Sequence, residues 1–391
     1  MRDDWFDVEG LLSSEELDLR TRVRAWCDDV VLPEIGTYWE AGEFPLELFS
    51  GLKDLDIIGG TVDGYGCPGL SELAAGVLMS ELGRCDGSLA TFYGVQSSLA
   101  MRSIAYLGSE EQKQRWLPPM ATLEKLGCFA LTEPDHGSDI VGMGTRAKQD
   151  GDHWILDGEK KWIGNGTVAD VAVVWARDDD GEVGGFIVDT DRAETDADGN
   201  VEGWTAEQIT GKVGNRAVWQ AHITMDAVRV PVEDRLVDAD GFADTSKVLT
   251  ASRAGVAWEA LGHAEAAYDL ATAYAVDREQ FGEPIASFQL IQQRLAGMLA
   301  QLTTLRLLCV RLSQIEDLDM PTAALAKMQA ARTARSMLAD ARATLGGNGI
   351  LLEHHVARHH ADIEAVYTYE GTDDVQALIV GRGITGISAF S

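Results

Sequence analysis

The spacing of apolar residues changes twice along this chain, and that change limits the fold more than any single motif. Near the start, Ser13 to Glu16 reads as a capping box, and Leu19, Val23, Trp26 and Val30 then recur at the interval of a helix facing a core until Pro33 ends the run. Further helical stretches lie around Leu70–Leu82 and Leu99–Leu107. Ser109-Glu110-Glu111-Gln112 opens one more, and Pro118-Pro119 punctuates the end of the region. From about Gly127 the pattern shortens. His153-Trp154-Ile155-Leu156 reads as a strand closed by an Asp157-Gly158 turn, and Val171–Trp175 is a nearly continuous apolar run. Asp180-Gly181 and Gly184-Gly185 mark turns before Phe186-Ile187-Val188, and Trp219–Val230 alternates loosely up to Pro231. These short strands suggest a small antiparallel barrel or sandwich. From about Thr250 the helical interval returns in Ala-rich sequence, with Ala251–Asp277, Ser287–Gln314, Ala323–Leu345 and Glu353–Val366 each long enough for a bundle helix. No low-complexity tether separates the three regions, so they are expected to pack together.

A net charge of −31 argues against nucleic acid and anionic membranes as partners, since both repel such a surface. Ten Trp and an apolar fraction of 46% exclude a disordered acidic chain. The acids are dispersed, with bursts at Asp178-Asp179-Asp180 and in Asp189–Asp198, and read as a solvated acidic shell such as a high-salt cytoplasm favours; an ordinary acidic protein is the alternative. The start, Met1-Arg2-Asp3-Asp4-Trp5, lacks the apolar core of a secretory signal, and no apolar run approaches bilayer-spanning length. A cytoplasmic location without membrane insertion is therefore expected. Cys27, Cys67, Cys85, Cys128 and Cys309 are odd in number and widely spaced, which fits reduced thiols and disfavours a zinc site or a disulfide framework.

Four segments could carry chemistry. Leu131-Thr132-Glu133-Pro134-Asp135-His136-Gly137-Ser138-Asp139 offers small hydroxyls and backbone N–H groups to anionic or heterocyclic oxygens, or is a plain polar loop. Lys161-Trp162-Ile163-Gly164-Asn165-Gly166 could lay an indole against a planar cofactor, or bury a core Trp at a strand end. Arg278-Glu279-Gln280-Phe281-Gly282 suits a pyrophosphate, and Leu345-Gly346-Gly347-Asn348-Gly349 lets backbone come close to a ligand, or is an interhelical turn. The glycines do not form a dinucleotide G-x-G-x-x-G in a βαβ setting. In Tyr367-Thr368-Tyr369-Glu370-Gly371-Thr372 a carboxylate sits among aromatics, where an apolar setting raises its pKa and strengthens it as a base; a surface Glu opening a helix is the plain reading.

The order of these segments resembles the acyl-CoA dehydrogenase superfamily over essentially the whole chain, through L-T-E-P-x-x-G-S-D, K-x-W-I-x-N, R-x-x-F-G, L-G-G-N-G and Y-E-G-T. The tail from Tyr369, with Gly381-Arg382-Gly383-Ile384-Thr385-Gly386-Ile387, is similar to the glutaryl-CoA dehydrogenase branch. Tyr38-Trp39-Glu40, Gly64–Leu70 and Trp162–Asn165 are closer to plant peroxisomal short-chain acyl-CoA oxidases. The resemblance implies a mostly α fold with a central β domain: an N-terminal helical domain (1–126), a middle antiparallel β-barrel-like domain (127–239) and a C-terminal four-helix bundle (240–391). It implies FAD, an acyl-CoA substrate, a homotetramer and an electron-transfer flavoprotein as acceptor, with O2 as the alternative. Glu370 is similar to the family's catalytic base, taking the α-proton while flavin N5 accepts the β-hydride. Its backbone N–H and a flavin ribityl hydroxyl would hold the thioester carbonyl. Thr132, Trp162 and Ile163 would face the isoalloxazine, and Arg278 and Gln289 would reach the FAD of a neighbouring subunit. Gly346, Gly347, Asn348, Gly349 and Thr372 would complete the cofactor site. Ser138, Arg253 and Gly371 would meet the CoA thioester.

Two departures bear on function. The dehydrogenase pattern has Thr where this chain has Gly164, which should leave the space beside flavin N5 roomier and poorer by one donor, as an oxidase would use. Glutaryl-CoA dehydrogenases have an Arg where this chain has Ala90, between the apolar Leu89 and Phe92, and neither Ala90 nor Thr91 can pair with a distal carboxylate; Arg102 is the candidate replacement. The expected activity is desaturation of a short-chain acyl-CoA. A short-chain oxidase, a glutaryl-CoA dehydrogenase and a flavin-free helical binding protein are the alternatives. His355 and His359 stand one helical turn apart, a spacing that can bind metal, but no H-E-x-x-H or nearby Cys accompanies them, and no functional metal is expected.

Overall fold

The computed structural model describes residues 3–190 and 201–389; the part of the acidic burst within 191–198 lies outside them. The N-terminal helices are α1 (Ser14–Trp26), α2 (Leu32–Ala41), α3 (Leu46–Phe49), α4 (Glu72–Cys85), α5 (Gly87–Tyr93), α6 (Arg102–Leu107) and α7 (Glu110–Ala121). Both capping boxes form: Ser13 caps α1 with Glu16 answering, and Ser109 caps α7 with Gln112 answering. Pro33 does not end a helix. The chain passes through a π-helical turn at Cys27–Val31, and Pro33 lies in the first turn of α2, where its missing N–H costs nothing. Pro118 and Pro119 likewise sit inside α7. Residues Gly94–Met101, between α5 and α6, also wind as a π-helix.

The middle region is one curled sheet of seven strands: β1 (Gly127–Ala130), β2 (Arg146–Asp150), β3 (His153–Gly164), β4 (Val171–Arg177), β5 (Val183–Asp189), β6 (Trp204–Gln208) and β7 (Gln220–Pro231). The order is β1-β4-β2-β3-β7-β6, with β5 on the other edge of β4. Most pairs are antiparallel, but β1 runs parallel to β4, so the sheet is mixed. Asp157-Gly158 does not turn the chain: β3 continues through it, and Gly158 absorbs a bulge opposite β7. The unbroken apolar run in β4 follows from burial on both faces. Val171, Val173 and Trp175 enter the main core with the helices, while Ala172, Val174 and Ala176 enter a second core wrapped by the sheet.

The C-terminal helices are α8 (Phe242–Asp277), α9 (Gln289–Ser313), α10 (Met320–Thr344), α11 (Val356–Thr368) and α12 (Asp373–Thr385). At 36 residues α8 is about 54 Å long. By length and composition α9 could cross a bilayer, contrary to the sequence expectation. Its Arg306, however, is tied to Glu265 on α8 at 2.9 Å and to Asp3 at 3.0 Å.

Candidate active site

Glu370 lies in the tight connection between α11 and α12. Its φ is +55°, a conformation that L side chains other than Asn and Asp seldom take, so the surroundings must impose it. Gly371 follows at φ +91°, where a Cβ would stand 2.4 Å from Gln376 Nε2. Thr372 accepts from Val375 N and caps α12. The Ser252 hydroxyl donates to Glu370 Oε2 at 2.7 Å. Arg253 Nε and Gln376 Nε2 donate to the Glu370 carbonyl at 2.9 and 2.8 Å. Burial pushes the Glu370 carboxyl above its usual range, opposed by the Ser252 hydrogen bond and by the charges of Arg253 and Lys327. No backbone carbonyl or side chain among the described residues accepts from the Glu370 N–H. Beside it the Tyr369 hydroxyl donates to Glu259 at 2.6 Å, and burial raises that carboxyl to about 8.

A cavity of about 420 Å³ opens between α4, residues 93–106, α8 and the α9–α10 connection. Glu370 is not among its lining residues; Met320 on its wall meets Arg253 Nη1 through its sulfur, and Arg253 in turn holds the Glu370 carbonyl. Arg102 is also on its wall, donating to Thr61 Oγ1 at 2.6 Å. Ala90 is fully buried, and Thr91 accepts from Asn215 at 2.7 Å.

The β-region motifs meet one another. Lys161 N donates to the Thr132 carbonyl at 2.8 Å, and Lys160, fully buried, reaches Glu133 at 2.9 Å. Hydrogen bonds from Thr145 and Gly144 and the charge of Lys160 outweigh burial and hold Glu133 down to about 2. Ile163 is buried, Ser138 is exposed, and the Trp162 indole, at a bulge with φ +66°, is 56% exposed. Gly164 does not leave free space: a Cβ there would stand 2.7 Å from Val95 Cγ2.

Arg278, Gln289 and Gly346–Gly349 are a separate group. Arg253 and Arg278 are 25 residues apart on and just past α8, about 38 Å along its axis. Asn348 joins the distant end by donating to Tyr274 at 3.1 Å. Arg278 and Gln289 are exposed, Phe281 is 95% exposed, and Gly346 and Gly347 face open space. Gly349 is demanded by packing instead, since a Cβ would lie 2.1 Å from the Arg342 carbonyl. His359 does not act with His355; its Nδ1 lies 2.9 Å from His263 Nδ1 in a buried pair. Sequence reasoning missed Ser252, Lys327 and Gln376, polar residues within helical patterns.

This chain matches the acyl-CoA dehydrogenase N-terminal domain over residues 13–124, the middle domain over 128–228 and the C-terminal domain over 239–385. It belongs to the acyl-CoA dehydrogenase family. The mitochondrial short-chain specific acyl-CoA dehydrogenase of Bos taurus is 33% identical over 96% of this chain and 92% of its own length. A crystal structure of glutaryl-CoA dehydrogenase from Mycobacterium smegmatis superposes with a TM-score of 0.95 at 42% identity, covering 100% of this chain and 99% of that one. A second glutaryl-CoA dehydrogenase from that organism, in complex with FADH2, gives 0.94 at 38% identity over 99% and 98%. This acyl-CoA dehydrogenase is an FAD-dependent oxidoreductase acting on acyl-CoA. The residues suit the cofactor: an exposed indole fits a planar ring, and an exposed Arg278 that meets no carboxylate among the described residues fits a diphosphate.

Proposed function

We propose that this acyl-CoA dehydrogenase desaturates short, uncharged acyl-CoA thioesters, with Glu370 removing the α-proton. The observation that carries the reading is the state of Glu370: a carboxyl raised by burial, steered by Ser252, on a residue whose N–H is left for a substrate oxygen. Bound FAD supplies the acceptor for the β-hydride. Arg253 holds the Glu370 carbonyl, which keeps the N–H and the carboxylate aimed together. Ser138 and Gly371 would lie against the thioester and pantetheine. Thr132, Trp162, Ile163 and Thr372 would meet the flavin of the same subunit, and Arg278, Gln289 and Gly346–Asn348 that of a neighbour. The 38 Å between the two groups supports this division, and with it an assembly of copies, in keeping with a tetramer. An electron-transfer flavoprotein is the proposed acceptor, because Val95 occupies the room that an oxygen path beside Gly164 would need.

Ala90 supports an uncharged chain by its place in the sequence pattern, where glutaryl-CoA dehydrogenases have Arg, since it offers a distal carboxylate no partner; it is fully buried and does not line the cavity. A glutaryl reading stays in play on one observation, the position of Arg102 on the cavity wall. The test is stopped-flow bleaching of bound flavin by butyryl-CoA and by glutaryl-CoA, in wild type and in Glu370→Gln. Butyryl-CoA should lead by about 100-fold, and the Gln variant should keep its flavin yet bleach at least ~1,000-fold more slowly. Bleaching of Glu370→Gln near the wild-type rate would overturn the assignment of the base. A lead for glutaryl-CoA that disappears in Arg102→Ala would overturn the substrate reading alone.

A further inference from the structure

We propose that Lys327 is a positioning residue for the base, its ammonium pinning the backbone on both sides of Glu370 so that carboxylate and N–H face one substrate. Lys327 lies on α10 and is 1% exposed. An ammonium this deep needs hydrogen bonds or a counter-charge, and it has three N–H donors. All three are spent on the last turn of α11 and the loop after it, to the carbonyls of Tyr367 at 3.4 Å, Tyr369 at 2.9 Å and Gly371 at 2.7 Å. The acceptors are alternate residues, and the last two bracket the base. The carbonyl between them, that of Glu370, is taken by Arg253 from α8 and Gln376 from α12. Three helices thus hold three consecutive peptide oxygens, and what they fix is the left-handed turn that Glu370 would not choose alone. No ordinary packing need calls for a charge here, because an apolar side chain would fill the same volume without desolvating an ammonium.

The charge has a second consequence. The ionisable groups facing Lys327 are Glu370 in the loop, Arg253 and Glu259 on α8, and Asp373 at the start of α12. Burial brings Lys327 down to about 8, with Glu370 opposing and Arg253 adding to the fall. Its positive charge in turn counters the burial that raises Glu370. Removing that charge while leaving donors in place should make Glu370 harder to ionise without releasing the loop. Removing both should also let the loop leave the geometry in which the proton is taken.

The inference rests on the reading of Glu370 as the base, and the experiment separates the two. Flavin-loaded Lys327→Gln, Lys327→Met and Glu370→Gln are compared with wild type, with butyryl-CoA as reductant. Flavin absorbance, melting temperature, apparent Kd for butyryl-CoA and limiting reduction rate are followed across pH. In Lys327→Met the limiting rate should fall about 100-fold, Kd should move less than about threefold, and the acid limb of the rate should shift to higher pH by about one unit. Lys327→Gln should recover about tenfold of the rate through its amide donors and keep the shifted limb. If Lys327→Met does not hold flavin, Lys327→Gln decides the matter by its limb alone. An unshifted limb in Lys327→Gln, or a wild-type limiting rate in Lys327→Met, overturns the role of Lys327. Reduction of Glu370→Gln at the wild-type rate removes the base, and the proposal for Lys327 with it.

Discussion

Every backbone carbonyl from Tyr369 to Gly371 is held by a buried or half-buried side chain, whereas beyond the far end of α8 Arg278, Phe281 and Gln289 stand in solvent. The first region is complete within one chain, so its geometry is set before any ligand arrives. The second has an exposed Arg278, a Phe281 ring that meets Phe288 edge-on at 5.9 Å, and bare glycine backbone at Gly346 and Gly347. On the proposed reading, local order and local incompleteness divide the family's chemistry between the two ends of a helix. On that same reading, the end that moves a proton is closed, and the end that suits a diphosphate would face a second copy.

The largest effect that would break this contrast is at the open end. Arg278→Ala should weaken FAD retention by tenfold or more, the value of a charge-assisted hydrogen bond, without moving the acid limb of flavin reduction in the fraction that keeps FAD. Equilibrium dialysis of FAD and a pH-rate series measure the two. Unchanged retention would mean that the far end is no cofactor surface. A smaller effect is expected at Gly164→Thr. If the wall by the flavin were as open as the region around Arg278, a side chain would fit without cost. The contact with Val95 predicts a loss of about 1–3 kcal/mol in denaturant unfolding instead. The smallest effect concerns Glu259, beside the closed loop. Its folded pKa, about 8, lies above the unfolded value of 4.5, so the folded state holds the extra proton. The stability this group contributes is complete below about 4.5 and is lost as pH rises through about 8. Glu259→Gln should therefore flatten the decline in melting temperature between pH 5 and 8 by a few degrees. An identical decline in wild type and variant would place the alkaline sensitivity elsewhere.

Much of this was legible in the sequence because the signals are local. Capping boxes at Ser13 and Ser109 need only four residues each, and the Tyr-Glu-Gly-Thr segment is read as a unit. The errors arise where a local signal meets a non-local demand. Asp157-Gly158 is good turn chemistry, yet β7 pairs on both sides of it, and the glycine becomes a bulge. Pro33 stops one helix pattern but is equally suited to begin another. Gly164 promised space that only the position of Val95, 69 residues earlier in the chain, could deny. Lys327 gave no sign at all, since a Lys in an Ala-rich helix ordinarily faces water. The separation of Arg278 from Glu370 follows from α8 being one continuous rod, which the sequence pattern between Ala251 and Asp277 already implied.

The π-helical winding of Gly94–Met101 has a genetic consequence. Consecutive buried residues in it point to different neighbours: Val95 stands against Gly164, Gln96 accepts from Gly127 N at 2.6 Å, and Ser97 accepts from Gly59 N at 3.1 Å. A π turn holds about one residue more than an α turn. Loss of a single codon here would let the segment relax into an ordinary α-helix and rotate one flank against the other by about 100°. Val95 and Arg102 could then no longer both meet their present neighbours. Substitutions would be judged one by one in this stretch, but the reading frame of its helix admits no deletion.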